Sequence, residues 1–308
     1  MTIRYPYDKR HLNFGNSSAI KDPAVLSLLS NLNLNLVDIL QNERIVKEFI
    51  NDYKTWIESS KLNKIKGLAD FNYACYSNGT TEAFDKFYLK NNTRRFRCFH
   101  GEYMYHQLMW RNCYPSWEFI SDCDLDINDA VVISLPFADT GNQHSEYKKL
   151  IATCEKLNVP VLVDCAYLGI CQGIEFDFSS TCITDVTFSL SKTFPISHAR
   201  IGLRLTRSDN DDSLFVVNKG DYVNRLGAYI GSTLIKNFSS DYIVTEYRDI
   251  QTKFCNHLKV VPSNTVLFGI GNLLWNEYNR GRGSNRLSFH NYYHLQSDKF
   301  YEENSPRA

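Results

Sequence analysis

Four short segments of this 308-residue chain carry side chains suited to chemistry rather than packing alone. The first is Phe188-Ser189-Leu190-Ser191-Lys192-Thr193-Phe194, which sets a lysine at the end of an apolar run. A lysine there either snorkels out to water along its alkyl stem or serves as a reactive amine. Eight positions on, Arg200 precedes Ile201 and Gly202. A guanidinium is suited to gripping phosphate with paired N–H groups. The third segment, Asp164-Cys165-Ala166-Tyr167, follows the apolar run that ends at Val163. Ligands of parallel α/β sheets sit beyond the carboxyl ends of the strands, so an acid there can meet one. Its competing role is to cap the next helix. The fourth is Ser77-Asn78-Gly79-Thr80-Thr81-Glu82-Ala83, a small polar turn that opens a helix-like run over residues 82–89. Backbone N–H groups at a helix start form an anion site. The plainer reading is a capped helix with Thr80 or Thr81 as cap and Glu82 in the first turn.

These residues need a frame that brings strand ends together. Residues 97–99, 117–120, 130–135, 159–163, 186–190 and 201–205 are short, apolar and bounded by Asn, Asp, Gly or Pro, as buried strands are. Between two of them, Tyr147, Leu150, Ile151, Cys154 and Leu157 recur at three to four positions within residues 144–158, which predicts an amphipathic helix. Strand, helix and strand in alternation imply an α/β fold with a mostly parallel central sheet covered by helices. Residues 24–40 and 43–62 are helix-like without strand rhythm, and a further helix-like stretch precedes Pro262. The expected division is an N-terminal arm with the helical part of a small domain over 1–70, a large domain over 71–230, and a C-terminal small domain over 231–308, with a soft boundary near Gly231.

Composition narrows the classes. Lys plus Arg and Asp plus Glu both number 34, so nothing in the overall charge attracts polyanions, and neither nucleic acid nor a membrane surface is expected as partner. The nine cysteines form no C-x-x-C pair, so zinc or disulfide-exchange motifs are not expected and the thiols imply a reducing, cytoplasmic setting. The first residues lack the apolar stretch of a secretory signal, and no run approaches the roughly 20 apolar residues of a membrane helix. No G-x-G-x-x-G follows a strand, against a nicotinamide site.

The order Gly79-Thr80-Thr81-Glu82-Ala83, Asp164-x-Ala166-Tyr167, Ser189-x-Ser191-Lys192 and Arg200-x-Gly202 resembles the fold-type-I pyridoxal-phosphate enzymes. Within them it is most similar to the class I/II aminotransferases around histidinol-phosphate aminotransferase. The likeness runs from about Asn78 to Gly202, with weaker echoes beyond. It implies an aspartate-aminotransferase-like large domain, a trimmed small domain and pyridoxal 5'-phosphate as cofactor. Lys192 is then the Schiff-base lysine that also moves a proton at Cα. Asp164 partners the pyridine nitrogen, and Tyr167 touches the ring oxygen. Asn78, Gly79, Thr80, Ser189, Ser191 and Arg200 fall at the cofactor, most of them as its phosphate cradle. Tyr103 is the ring expected to stack on the cofactor, with Tyr105 second and His100 a rival. Ordinary packing is the alternative in a chain with 19 tyrosines.

One departure stands out. Relatives carry N-P-x-G after the preceding strand, and here Ala138 falls at the Asn position, so Asp139 or Asn142 substitutes from a shifted loop or the contact is missing. Near the C-terminus, Val261-Pro262-Ser263-Asn264 and Asn285-Arg286-Leu287-Ser288 resemble small-domain segments, which makes Arg286 a clamp for a substrate carboxylate. A solvated Arg-rich loop is the alternative. The implied activity is amino transfer between an amino donor and a keto acceptor, with a decarboxylase or other lyase as runner-up. Acyl transfer ranks below both, and a non-enzymatic relic need not have kept Lys192. The resemblance also implies a homodimer, with Tyr5, Tyr7 or residues 224–233 reaching the neighbouring site.

Overall fold

The computed structural model describes residues 17–113, 116–208, 212–279 and 283–293. Its centre is a seven-stranded sheet with strands in the spatial order Tyr73–Ser77, Gly202–Thr206, Ile183–Ser189, Val161–Asp164, Asp129–Ser134, Arg95–Cys98 and Trp117–Phe119. Gly202–Thr206 runs antiparallel to both neighbours, and every other pairing is parallel. The α/β fold with a mostly parallel central sheet is therefore as expected. Each of the six expected strands is present, and Tyr73–Ser77 is an addition. Only its second half is buried, so it lacks the fully apolar signature of its neighbours.

The strand sequences are apolar because both faces are covered. Val131, Ile133, Val161 and Val163 point into one core with the helices Ile45–Glu58, Tyr147–Leu157 and Arg225–Asn237, whereas Ala130, Val132 and Leu162 point into another beneath the helix Thr80–Lys90. Side chains alternate along a strand, so each face takes every second residue. The helix Tyr147–Leu157 buries Tyr147, Leu150 and Cys154, in keeping with its apolar spacing.

Two features of the expected organisation come out differently. The helix Ile45–Glu58 packs on the central sheet, with Val46, Phe49, Tyr53 and Trp56 in the main core, instead of joining the C-terminal region. Phe49 meets Tyr76 at 5.6 Å between ring centroids. Gly231 lies inside the helix Arg225–Asn237, so the chain does not part there. A second core begins with the helix Tyr242–Leu258, which covers a three-stranded antiparallel sheet of Val261–Pro262, Phe268–Gly271 and Asn285–Ser288. Ile20 from the N-terminal segment and Ile170 from the large sheet region pack into that core. Among the described residues, no helix is long and apolar enough to cross a membrane.

Candidate functional site

The strand Val161–Asp164 ends on Asp164, which pairs in register with Ser134 on one side and Thr187 on the other. The strand Ile183–Ser189 ends just before Lys192, and Gly202 opens the return strand just after Arg200. Three separate sequence segments are thus delivered to one edge of the sheet, where a cavity of about 440 Å³ opens. Lys192, Asp164, Tyr167, Arg200 and Arg286 all line it. Thr80, Ser191 and Tyr103 do as well.

At one end of the cavity, the helix Thr80–Lys90 begins after Gly79 with no side-chain cap on its first N–H groups. Arg200 comes in beside it, donating from Nη2 to the Asn78 carbonyl at 3.0 Å and to Thr81 Oγ1 at 3.1 Å. Gly79 sits at φ 75°, and a Cβ there would stand 2.2 Å from Arg200 Nη2. Arg200 is itself left-handed, at φ 54° and ψ 62°. That conformation costs a non-glycine residue about 1–3 kcal/mol and recurs at ligand clamps. The Tyr76 hydroxyl holds the turn by donating to the Arg200 carbonyl at 3.1 Å. A helix start, two threonine hydroxyls, Ser191 and a guanidinium together form an anion cradle.

Asp164 is 6% exposed and accepts from the Ala166 N–H at 3.1 Å. Burial pushes its pKa up to about 7, against the Ala166 hydrogen bond and the nearby Lys192 charge, which both pull it down. Lys192 is shifted the other way: burial lowers its pKa first, then Arg286, with Arg200 adding and Asp164 opposing. Its Nζ donates to the Ser17 carbonyl at 2.6 Å. A buried amine with two guanidiniums acting on it gives up its proton more readily than an exposed lysine, which favours the free-amine form that nucleophilic and base chemistry needs.

Arg286 lies on a strand and is 7% exposed, so it is no solvated loop residue. Nη1 donates to the Ala138 carbonyl at 2.8 Å, and the guanidinium covers the Phe268 ring at 4.4 Å from its centroid. Tyr167 packs its ring edge-on to the same Phe268 at 5.5 Å.

Other expected positions separate from the cavity. Asn78, Gly79 and Ser189 are not on its wall. Ser189 Oγ instead binds Ser191 Oγ at 2.9 Å, which fixes the turn before Lys192. Among the three stacking candidates, only Tyr103 lines the cavity. Tyr105 donates to Asp85 at 2.7 Å, and His100 lies on Phe119. Ala138 lines the cavity, but neither Asp139 nor Asn142 does, and Asn142 Oδ1 accepts from Asn264 N at 2.7 Å. Residues 224–233 start the helix Arg225–Asn237, whose Gly227 and Gly231 press on Tyr76 and Phe49 of the same chain. Tyr5 and Tyr7 lie outside the described residues.

Sequence reasoning missed Ser17, Ser134, Met104 and Ser197, which also line the cavity. It missed Glu102 as well, a fully buried acid bound to Ser134. Ser197 was within reach, since it lies between Lys192 and Arg200; Ser17 and Ser134 carry no local signal.

No family model matches the chain, and no curated protein does. Solved structures do match. An aromatic aminotransferase from Pyrococcus horikoshii aligns at TM-score 0.62 and 10% identity over 93% of this chain and 94% of its own. A pyridoxal-phosphate-bound C–S lyase from Staphylococcus hominis aligns at TM-score 0.62 and 12% identity, covering 90% and 82%. The histidinol-phosphate aminotransferase of Clostridium acetobutylicum aligns at TM-score 0.52 and 14% identity, covering 84% and 80%. The chain has the fold that these enzymes share, an aspartate-aminotransferase-like α/β architecture.

Proposed function

We propose that this protein is a pyridoxal-phosphate-dependent aminotransferase. The observation that carries the reading is the meeting of Lys192, Asp164 and Arg200 in one cavity on that fold. The residues fit the cofactor. The cradle of Thr80, Thr81, Ser191 and Arg200 suits a phosphate dianion, and Asp164 suits a protonated ring nitrogen. Lys192 reaches the same space, and Tyr103 and Tyr167 supply aromatic walls. When bound, pyridoxal phosphate supplies an aldehyde for an amine and a ring that withdraws electrons from a substrate's Cα.

The protein's own contributions follow from the geometry. Arg286 takes a substrate carboxylate on the edge of its guanidinium not spent on Ala138. That contact turns the substrate's Cα toward Lys192, whose Nζ removes a proton there and returns it elsewhere. Asp164, buried, holds positive charge on the ring nitrogen through a contact that water does not weaken. The partners are small molecules, an amino donor and a keto acceptor. A homodimer is part of the proposal, supported by exposed Tyr103 and Met104 on the cavity wall and by exposed Leu108 further along the helix Met104–Cys113. A cytoplasmic location accords with the eight free cysteines among the described side chains.

The test is to add pyridoxal phosphate and a panel of amino acids while recording the absorption spectrum. Conversion to pyridoxamine phosphate with release of an equal amount of keto acid establishes amino transfer. Release of CO₂ or of a side-chain fragment without that conversion establishes a lyase instead.

A further inference from the structure

Glu102 is fully buried, yet no Lys, Arg or His among the described residues pairs with its carboxyl group. Its partners are uncharged: Oε1 accepts the Ser134 N–H at 2.8 Å, Oε2 makes a short hydrogen bond with Ser134 Oγ, and the Tyr103 backbone N–H also donates to the carboxyl group. Ser134 is the last residue of the strand Asp129–Ser134, stands beside Asp164 in register, and lines the cavity. The ionisable groups that act on Glu102 are Asp164 and the buried Cys98 thiol, and neither can neutralise a carboxylate.

We propose that Glu102 is a positioning residue kept in its neutral acid form, whose O–H donates to Ser134 Oγ and so turns the Ser134 hydroxyl hydrogen toward the cavity beside Asp164. A carboxylate there would sit unpaired at zero exposure, next to a second acid. Burial, with Asp164 adding, pushes the Glu102 pKa up to about 8 against the pull of its hydrogen bonds from Ser134 and the Tyr103 backbone. As a neutral acid it keeps its hydrogen bonds without adding a second negative charge near Asp164, the one acid that lines the cavity among the described residues. A hydroxyl whose oxygen already accepts from Glu102 has its own hydrogen to give, and Ser134 gives it into the cavity. This part of the proposal rests on the cofactor reading above: Ser134 and Asp164 together face the ring.

Glutamine mimics a neutral acid, with a donor group on one side and an acceptor oxygen on the other, and alanine does not. The infrared spectrum of the cofactor-free protein at neutral pH should show a protonated-carboxyl band that is missing from Glu102→Gln. In absorbance titrations with pyridoxal phosphate, Glu102→Gln should bind within about twofold of wild type. Glu102→Ala, and Ser134→Ala as a smaller change that spares the fold, should each weaken binding by roughly tenfold, the scale of a broken buried hydrogen bond. The proposal is overturned if the band difference is absent, if Glu102→Gln is as weak as Glu102→Ala, or if both alanine variants bind like wild type. A protein that shows the band but takes up no pyridoxal phosphate refutes the cofactor reading, and with it the role of Ser134 toward a ring.

Discussion

Arg200 occupies the space that a side chain on Gly79 would need: a Cβ built there stands 2.2 Å from Nη2 and 2.7 Å from Cζ. The glycine also holds φ 75°, which penalises any L-residue with a side chain. Gly79→Ala therefore pushes the guanidinium off Thr81 and off the helix start. Overpacking of this kind costs about 1–3 kcal/mol. Pyridoxal-phosphate affinity should fall by about tenfold or more, with phosphate-free pyridoxal much less affected. Titrations with both compounds check it, and equal losses for the two would separate Gly79 from the phosphate.

Lys192 is expected to carry the cofactor. Borohydride treatment of the loaded protein should fix the label on the peptide that contains Lys192, as read by mass spectrometry. Lys192→Ala should still bind cofactor noncovalently through Arg200 and Asp164 but lose activity by roughly 10²–10⁴-fold, the range for a positioned acid–base group. Label on another lysine would overturn the assignment.

What could be read in the sequence, and what could not, follows from the range of each signal. Lys192, Asp164 and Arg200 were legible because each borders an apolar strand, and a short strand with both faces covered announces itself locally. Glu102 was not, because the residue that explains it, Ser134, lies 32 positions away and the two meet only in the folded sheet. Ser17 was hidden for the same reason, since its carbonyl reaches Lys192 across 175 positions. The grouping of the N-terminal helices failed on a different count. The amphipathic pattern of residues 45–58 says that one face is buried but not against which core, and Phe49 and Trp56 went to the central sheet.

Asp164→Asn should bind the cofactor with little loss, since the anion cradle is untouched. Proton exchange at the substrate's Cα should slow by roughly a hundredfold, the scale of one preorganised electrostatic contact. Exchange followed by NMR in D₂O gives the measurement. A variant with unchanged exchange would show that Asp164 does not act on the ring.

Two buried acids tilt the stability of the cofactor-free protein downward as pH rises, and the buried His106, lowered to about 3 by burial, opposes them below its unfolded pKa. Glu102 is raised from 4.5 to about 8 and Asp164 from 3.8 to about 7, burial being the first cause in both. The folded state therefore holds protons that the unfolded state has released. Their contribution is complete below the unfolded values and is lost as pH rises through the folded ones. Each group tilts stability downward by about 1.4 kcal/mol per pH unit across its window. Glu102→Gln should flatten the slope, so that its stability relative to wild type improves as pH rises toward 8. Urea melts across that range check the sign, and a wild type that stabilises steadily up to pH 8 would contradict it.

Arg286 has two effects that can be measured apart. As a carboxylate clamp it should matter to substrate and not to cofactor: Arg286→Gln should raise KM for a carboxylate-bearing donor by roughly ten- to a hundredfold, the scale of a charged hydrogen bond, and spare an amine donor without a carboxylate. As a nearby cation it is the second cause, after burial, of the lowered Lys192 pKa. Removing its charge lets that pKa rise, so at neutral pH a smaller share of Lys192 is the free amine. The cofactor-free variant should then react more slowly with an aldehyde at Lys192, with the rate profile displaced to higher pH. Lysine in place of arginine separates the two effects. Arg286→Lys keeps the charge and the Lys192 profile but loses the planar fork that meets a carboxylate with two bonds. If Arg286→Lys and Arg286→Gln displaced the Lys192 profile equally, the electrostatic link between these two residues would be refuted, whatever became of KM.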